Sequence, residues 1–358
     1  MTTRFLSKTS LILFVGLSLS AIVGCGGAAS MAPQSPTAPD TSSNGVTLQG
    51  IAVNPSSSLV YATNEFTGKL AQAFQGVVLN GSSNSVVSTL SGGSYSTGVG
   101  VDAARNLVYI ANYDDGTVSV LSTTDNSLVA TIQVGSDPWS VAVNPITHAV
   151  YVSDSAGSGS YELTVIDGNT NAVTAKVNIG LSPSPVAVDS ATNTVYAIDD
   201  SGLNSLVVIN GNTNTVSARV SLNSYSSAIA VNSTTNMIYV ASGSSNQLSA
   251  NTVNVINGNT NTLVATIPVG SIPVALAVNE TTNQVYVANS GSKNVSVISG
   301  VSNTVTTTIS VGSASTAIAV NPISNTIYLT CNQPSSIVVI NGGSNTVTAT
   351  VPVVTPAS

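Results

Sequence analysis

Carboxylates and aromatic rings are the chemically capable side chains that this sequence concentrates. Its 358 residues include fourteen Asp and Glu, seven Lys and Arg, one His, two Cys and one Trp. Asp114-Asp115 and Asp199-Asp200 are adjacent carboxylate pairs, Tyr113 precedes the first of them, and Asp137 stands two residues before Trp139. Aromatic faces flanked by carboxylates suit sugar rings or cationic peptides. Hard carboxylate oxygens also suit Ca2+. Asp154 and Asp199, with Asp114, Asp115 and Asp200 nearby, are the candidates for that, although their spacing fits no metal-loop motif. Adjacent acids are capable of acid–base work in principle, but loop acids are more commonly solvated.

Much other chemistry is missing. His148 is the only histidine and lies in NPITH (144–148), a turn sequence. Ser–His–Asp or Cys–His catalysis needs an imidazole beside a nucleophile. His/Cys metal centres lack ligands. The GSGS at 157–160 is followed by neither Lys nor a helical pattern, so it is no phosphate loop. No catalytic residue is assigned.

The first 45 residues differ from the rest. Arg4 and Lys8 precede an apolar run, Leu11 through Val23, that is too short to span a membrane comfortably. The run ends Ile22-Val23-Gly24-Cys25, which resembles the lipobox of bacterial lipoproteins. The resemblance implies a signal peptide over 1–24, diacylation of Cys25, and a protein exported and lipid-anchored to the cell envelope. Gly26 after Cys25 favours an outer membrane or the cell surface. Acyl chains hold a protein on a bilayer at about 0.8 kcal/mol per buried CH2. Residues 25–45, small, polar and Pro-rich, read as a tether with a random-coil reach of roughly 25 Å. Cys331 is then left without a disulfide partner and reads as a small apolar filler.

Only 6% of residues are charged and 42% are hydrophobic. β-Branched residues punctuated by Asn and Gly favour strands and tight turns. Without Arg4 and Lys8, five basic residues face fourteen acidic ones, so the body carries about −9. A surface this acidic does not neutralise phosphates, which excludes nonspecific nucleic-acid binding and electrostatic docking on anionic lipid.

Repetition dominates residues 46–354. Tyr recurs at 61, 109, 151, 196, 239, 286 and 328, at spacings of 48, 42, 45, 43, 47 and 42. Each copy holds four short apolar runs, a to d; in the third they are SVAVN (140–144), AVYVS (149–153), LTVID (163–167) and VTAKVNI (173–179). Asn-rich turns separate a from b and c from d, as hairpins require. The expectation is an all-β, seven-bladed β-propeller of four-stranded antiparallel blades, followed by a tail at 355–358. Strand a is innermost, where a wedge tapers and small residues (Ala52, Gly100, Ala142, Ala187, Ala230, Ala277, Ala319) are needed. Closure needs no exchanged strand, with a contribution from 46–49 left open.

The tetrapeptides YATN (61–64), YIAN (109–112) and YVAN (286–289), with degenerate copies YVSD, YAID, YVAS and YLTC, resemble the YVTN β-propeller repeat over residues 47–353. A single Trp disfavours WD40 repeats. The final tetrapeptide positions, Asn64, Asn112, Asp154, Asp199, Ser242, Asn289 and Cys331, are expected to hydrogen-bond local backbone.

From the end of strand c to the next Tyr the distance is always 29 residues, whereas from Tyr to that strand end it ranges from 13 to 19. The variation therefore falls in the b–c segment, most simply its loop. Loops b–c and d–a share one rim, which gathers Glu65, Asp114, Asp115, Asp137, Asp154, Glu162, Asp199 and Asp200 with Phe66, Tyr95, Tyr113, Trp139, Tyr161 and Tyr225. Trp139 is expected just before strand a of blade 3, at the channel mouth. The ligand-binding candidates are Tyr113, Asp114, Asp115, Asp137, Trp139, Asp154, Asp199 and Asp200. The expected function is noncatalytic: a surface or periplasmic scaffold holding an envelope protein, peptide or glycan on that rim. Two alternatives come from fold likeness alone. One is a lactonase-like or quinone-dehydrogenase-like enzyme with a metal or cofactor at the channel mouth. The other is a passive surface-layer component.

Overall fold

A computed structural model describes residues 46–65, 74–157, 159–180, 185–199, 204–222, 224–244 and 247–354. The leader, Cys25, the tether, Phe66, Asp200 and the 355–358 tail lie outside the described residues. Every regular element described is a strand. The strands form seven four-stranded antiparallel sheets, each in the order a-b-c-d. Blade 1 comprises Leu48–Asn54, Leu59–Asn64, Gly76–Asn80 and Ser85–Leu90. The remaining blades span 96–133, 136–180, 186–221, 226–268, 273–310 and 314–352.

Innermost strands of successive blades pack side by side, and strand a of blade 7 packs on strand a of blade 1, so the ring closes. All four strands of each blade are contiguous in sequence, so no strand is exchanged at the seam. Residues 46–49 do contribute. Asn332 Oδ1 accepts from Leu48 N at 2.9 Å, its Nδ2 donates to Leu48 O at 3.2 Å, and Ser335 Oγ donates to Val46 O. Val46 and Leu48 are buried with Tyr328, Ile337 and Val339. The chain thus enters the ring on the b–c/d–a rim, where Glu65 N donates to Thr47 O at 3.1 Å.

The apolar core is divided into seven clusters, one per seam between blades, and each contains one repeat Tyr. All seven rings are fully buried. An isolated meander leaves such a face uncovered, so each blade depends on its neighbours. Small residues on strand a allow the close approach. A Cβ on Gly100 would meet Val143 Cγ2 at 2.9 Å, and one on Gly50 would meet Thr97 O at 2.4 Å.

The a–b and c–d rim is nearly uniform. Fourteen turn residues there have positive φ, and twelve are Asn; the exceptions are Ser58 and His148. Asn tolerates the left-handed region that most side chains avoid. The residue ending strand a caps its own turn: Asn144 Oδ1 accepts from Ile146 N at 2.9 Å and Thr147 N at 3.2 Å. Its amide then reaches the next blade. Asn144–Asn193, Asn232–Asn283 and Asn279–Asn325 pair at 2.8, 2.8 and 2.7 Å. Between blades 2 and 3 a carboxylate and an imidazole take those places, Asp102 Oδ2 lying 2.8 Å from His148 Nδ1. The lone histidine is thus bonded across a seam.

Outer strand d carries a bulge at the same point in every blade, where the register to strand c slips. Bulges disrupt an exposed edge that would otherwise template pairing. In blades 3, 4, 6 and 7 the bulged residue is Thr174, Ser217, Thr306 or Thr348, and its hydroxyl donates to a strand c carbonyl at 3.1–3.3 Å. Blades 1, 2 and 5 have Val87, Val129 and Val264 there, all exposed.

The extra residues of the b–c segment do not simply lengthen a loop. In blades 3 and 5 they extend the hairpin itself, over Ala149–Gly157 with Ser160–Asp167 and Met237–Ser244 with Gln247–Asn257. Strand a of blade 3 also begins earlier than the sequence implies, at Ser136, so Trp139 is a strand residue.

Candidate surface on the b–c and d–a rim

Over blades 1 to 3 the rim brings three aromatic rings into contact. Tyr95 and Tyr113 have ring centroids 5.2 Å apart, tilted by 45°, and Tyr113 meets Trp139 edge-on at 6.1 Å and 79°. Tyr95 belongs to the d–a turn entering blade 2, Tyr113 to its b–c turn, and Trp139 to strand a of blade 3. The turns are locked together: Tyr113 N donates to Tyr95 O at 2.9 Å. Tyr95 holds φ at 52°, and Asp137 at the equivalent point of the next turn does the same. Left-handed backbone costs an ordinary residue about 1–2 kcal/mol, so these turns are held by their surroundings.

Carboxylates surround the rings. Asp114 Oδ2 accepts from Ser94 Oγ at 3.1 Å and Asp115 Oδ2 from Ser94 N at 2.8 Å, leaving both acids exposed. Glu65 accepts from Gln49 Nε2 and, at 3.4 Å, from the Tyr95 hydroxyl. Burial pushes the Glu65 carboxyl up, opposed by hydrogen bonds from Gln49, Thr47 and Tyr95. Burial and then the neighbouring Asp114 raise Asp137. Tyr113 is raised by burial and then by Asp137, with Tyr161 and Asp114 adding to it, and Tyr161 by burial and then Asp137. One patch of negative potential therefore covers Asp114, Asp137, Tyr113 and Tyr161.

Asp154 and Asp199 are placed differently from these. Both are buried, Asp199 at the end of strand b of blade 4 and Asp154 inside the extended strand b of blade 3, each beneath a glycine at the connection from strand d to the next strand a. A Cβ on Gly135 would stand 2.5 Å from Asp154 Oδ1, and one on Gly180 would stand 2.3 Å from Asp199 Cγ. Gly135 N donates to Asp154 Oδ2 at 3.0 Å, while Oδ1 has no hydrogen-bond partner. Burial raises the Asp154 carboxyl to about 6, against the pull of the adjacent Thr164 hydroxyl and the Gly135 N–H. Asp199 Oδ2 accepts from Arg219 Nη1 at 2.7 Å. The tetrapeptide-final ring as a whole faces inward: Asn64 Nδ2 donates to Phe74 O at 2.9 Å, and Asn112 and Asn289 bond side chains of strand c. Cys331 is buried 3.8 Å from Ser315 Oγ. Tyr113, Asp114, Asp115, Asp137 and Trp139 are therefore brought together, Asp154 lies behind them, and Asp199 sits a blade away. Ser94 and Gln49, which orient the acids, carry no signal in the sequence. Among the described residues no three Asp, Glu, His or Cys converge to hold a metal ion.

These features define a seven-bladed β-propeller whose chemistry is gathered on one rim. No protein-family model matches the chain, and no curated protein matches it in sequence. A solved structure of Kuenenia stuttgartiensis hydrazine synthase is similar in fold, with a TM-score of 0.71 over 89% of this chain and 99% of that chain. Sequence identity is 14%, so the likeness is one of fold alone.

Proposed function

We propose that this chain is a noncatalytic binding or scaffold propeller of the YVTN-repeat kind, exported and lipid-anchored to the cell envelope through Cys25. It holds its ligand, an envelope protein, peptide or glycan, on the b–c/d–a rim over blades 1 to 3. The supporting observation is the continuous strip Tyr95–Tyr113–Trp139 with Asp114, Asp115 and Asp137 beside it. Rings on a rigid scaffold contribute contact area at little entropic cost. The sequence reading of Cys25 and the Pro-rich segment supports the envelope location, and the tetrapeptides support the repeat family.

Partner capture from envelope extract tests this. The wild-type chain should enrich a partner that the Tyr113→Ala/Trp139→Ala variant, folded by thermal melt, does not. An identical partner set for both chains would reject the rim. Labelling with palmitate and mass measurement of the N-terminal fragment test the anchor; an unmodified Cys25 would remove it.

A further inference from the structure

We propose that the ligand on this rim is a basic peptide segment that seats an arginine side chain against Tyr113 and Trp139, between the carboxylates of Asp114 and Asp137. The inference rests on the rim reading above and names the chemistry it recognises.

The charge balance carries it first. Three ion pairs form among the described residues: Asp102 with His148, Glu162 with Lys176 and Asp199 with Arg219. Arg105 lies on the opposite rim, bonded to Asn169. Asp114, Asp115 and Asp137 have no cationic partner among the described residues, and Asp114 and Asp137 act on each other in one patch. Burial raises the Asp137 carboxyl, and the neighbouring Asp114 adds to it.

The rings decide which cation. A guanidinium is planar, stacks on aromatic faces and donates in a fork matched to carboxylates, whereas an ammonium is a compact, strongly hydrated charge. Tyr113 and Trp139 are both half-buried and therefore pre-positioned. A neutral sugar would use the rings but gain nothing from the charges of Asp114 and Asp137.

Trp139 is the only tryptophan, so its fluorescence reports on this surface alone. The mature full chain would be titrated with a short Gly/Arg peptide, its Gly/Gln counterpart and a neutral tetrasaccharide. The Gly/Arg peptide should change Trp139 emission saturably and lose affinity as salt rises. The pair Asp114→Asn/Asp137→Asn, the first exposed and the second half-buried, should weaken it by about tenfold with an unchanged thermal melt. A saturating response to the tetrasaccharide but not to Gly/Arg would overturn the cationic ligand and leave the rim reading standing. Equal affinity of the double Asn variant for Gly/Arg, or equal responses to Gly/Arg and Gly/Gln, would also overturn it. Failure of the rim reading itself is seen separately, as partner capture indifferent to Tyr113→Ala/Trp139→Ala.

Discussion

Tyr328 of blade 7 sets its hydroxyl against Gly81 in the c–d turn of blade 1, so closely that a Cβ on Gly81 would stand 2.2 Å from Oη. Tyr109 and Gly168 have the same relationship across the seam between blades 2 and 3, at 3.0 Å, and Tyr151 and Gly211 across the next, at 2.9 Å. The closing seam is therefore built like the internal ones. It needs no exchanged strand, because the ring-to-glycine contact that closes it is the one used between blades 2 and 3 and between blades 3 and 4.

Gly81→Ala should consequently loosen closure. The new methyl meets Tyr328 and, at 2.8 Å, Ser58 O, and overpacking of this kind costs about 1–3 kcal/mol. Gly343→Ala in the c–d turn of blade 7 meets only Asn341 Oδ1 at 3.3 Å and should stay within about 0.5 kcal/mol of wild type. Denaturant midpoints for the two variants decide; equal midpoints would mean that the seam absorbs the methyl.

Asp154 should make the ring less stable as pH rises. Its carboxyl titrates at about 6 when folded, against about 3.9 in an unfolded chain. Between those values the folded state binds more protons, so stability falls with rising pH and the penalty is complete above about pH 6. Its size is on the order of 2–3 kcal/mol. Asn occupies this position in blades 1, 2 and 6, at Asn64, Asn112 and Asn289. Asp154→Asn should therefore stabilise the protein at pH 7.5 and change little at pH 4. Urea denaturation at both values measures this, and equal shifts at the two would assign the effect to packing instead of charge.

The bulges predict a transplant. Thr306 and Thr348 donate to strand c carbonyls at 3.2 and 3.3 Å, whereas Val87, Val129 and Val264 present methyl groups to water at the same place. Val87→Thr, Val129→Thr and Val264→Thr should each add about 0.5–1 kcal/mol and slow self-association at the sheet edge. Thermal melts and light scattering of the triple variant test both parts; a lower melting temperature would count against the hydrogen bond.

The periodicity of Tyr and the Asn-rich turns made the ring legible, because a two-residue alternation and a left-handed turn residue are local properties. The shared rim was legible too, since constant c-to-Tyr spacing confines variation to b–c. Depth was not. Asp199 ends its strand where expected, whereas strand b of blade 3 runs on past Asp154 to Gly157; the burial of both is decided by Gly135 and Gly180 folding over them, a contact between segments about twenty residues apart. The Val-Gly-Ser at 134–136 is no guide to this, since the same tripeptide at 311–313 has open space around Gly312 and Gly180 stands in a different sequence. The pairing of His148 with Asp102 was equally hidden: it is recognisable only once Asn144–Asn193 and its equivalents reveal the place that the two residues occupy.

Residue 46 enters beside Glu65, so whatever precedes it departs from the same side as the acidic, aromatic strip. On the proposed function, length added to or removed from that preceding stretch would set how much room a partner on the strip has. The far side, ringed by asparagine corners, is where a dye or a fused domain can be hung without crowding either the chain's entry or the strip.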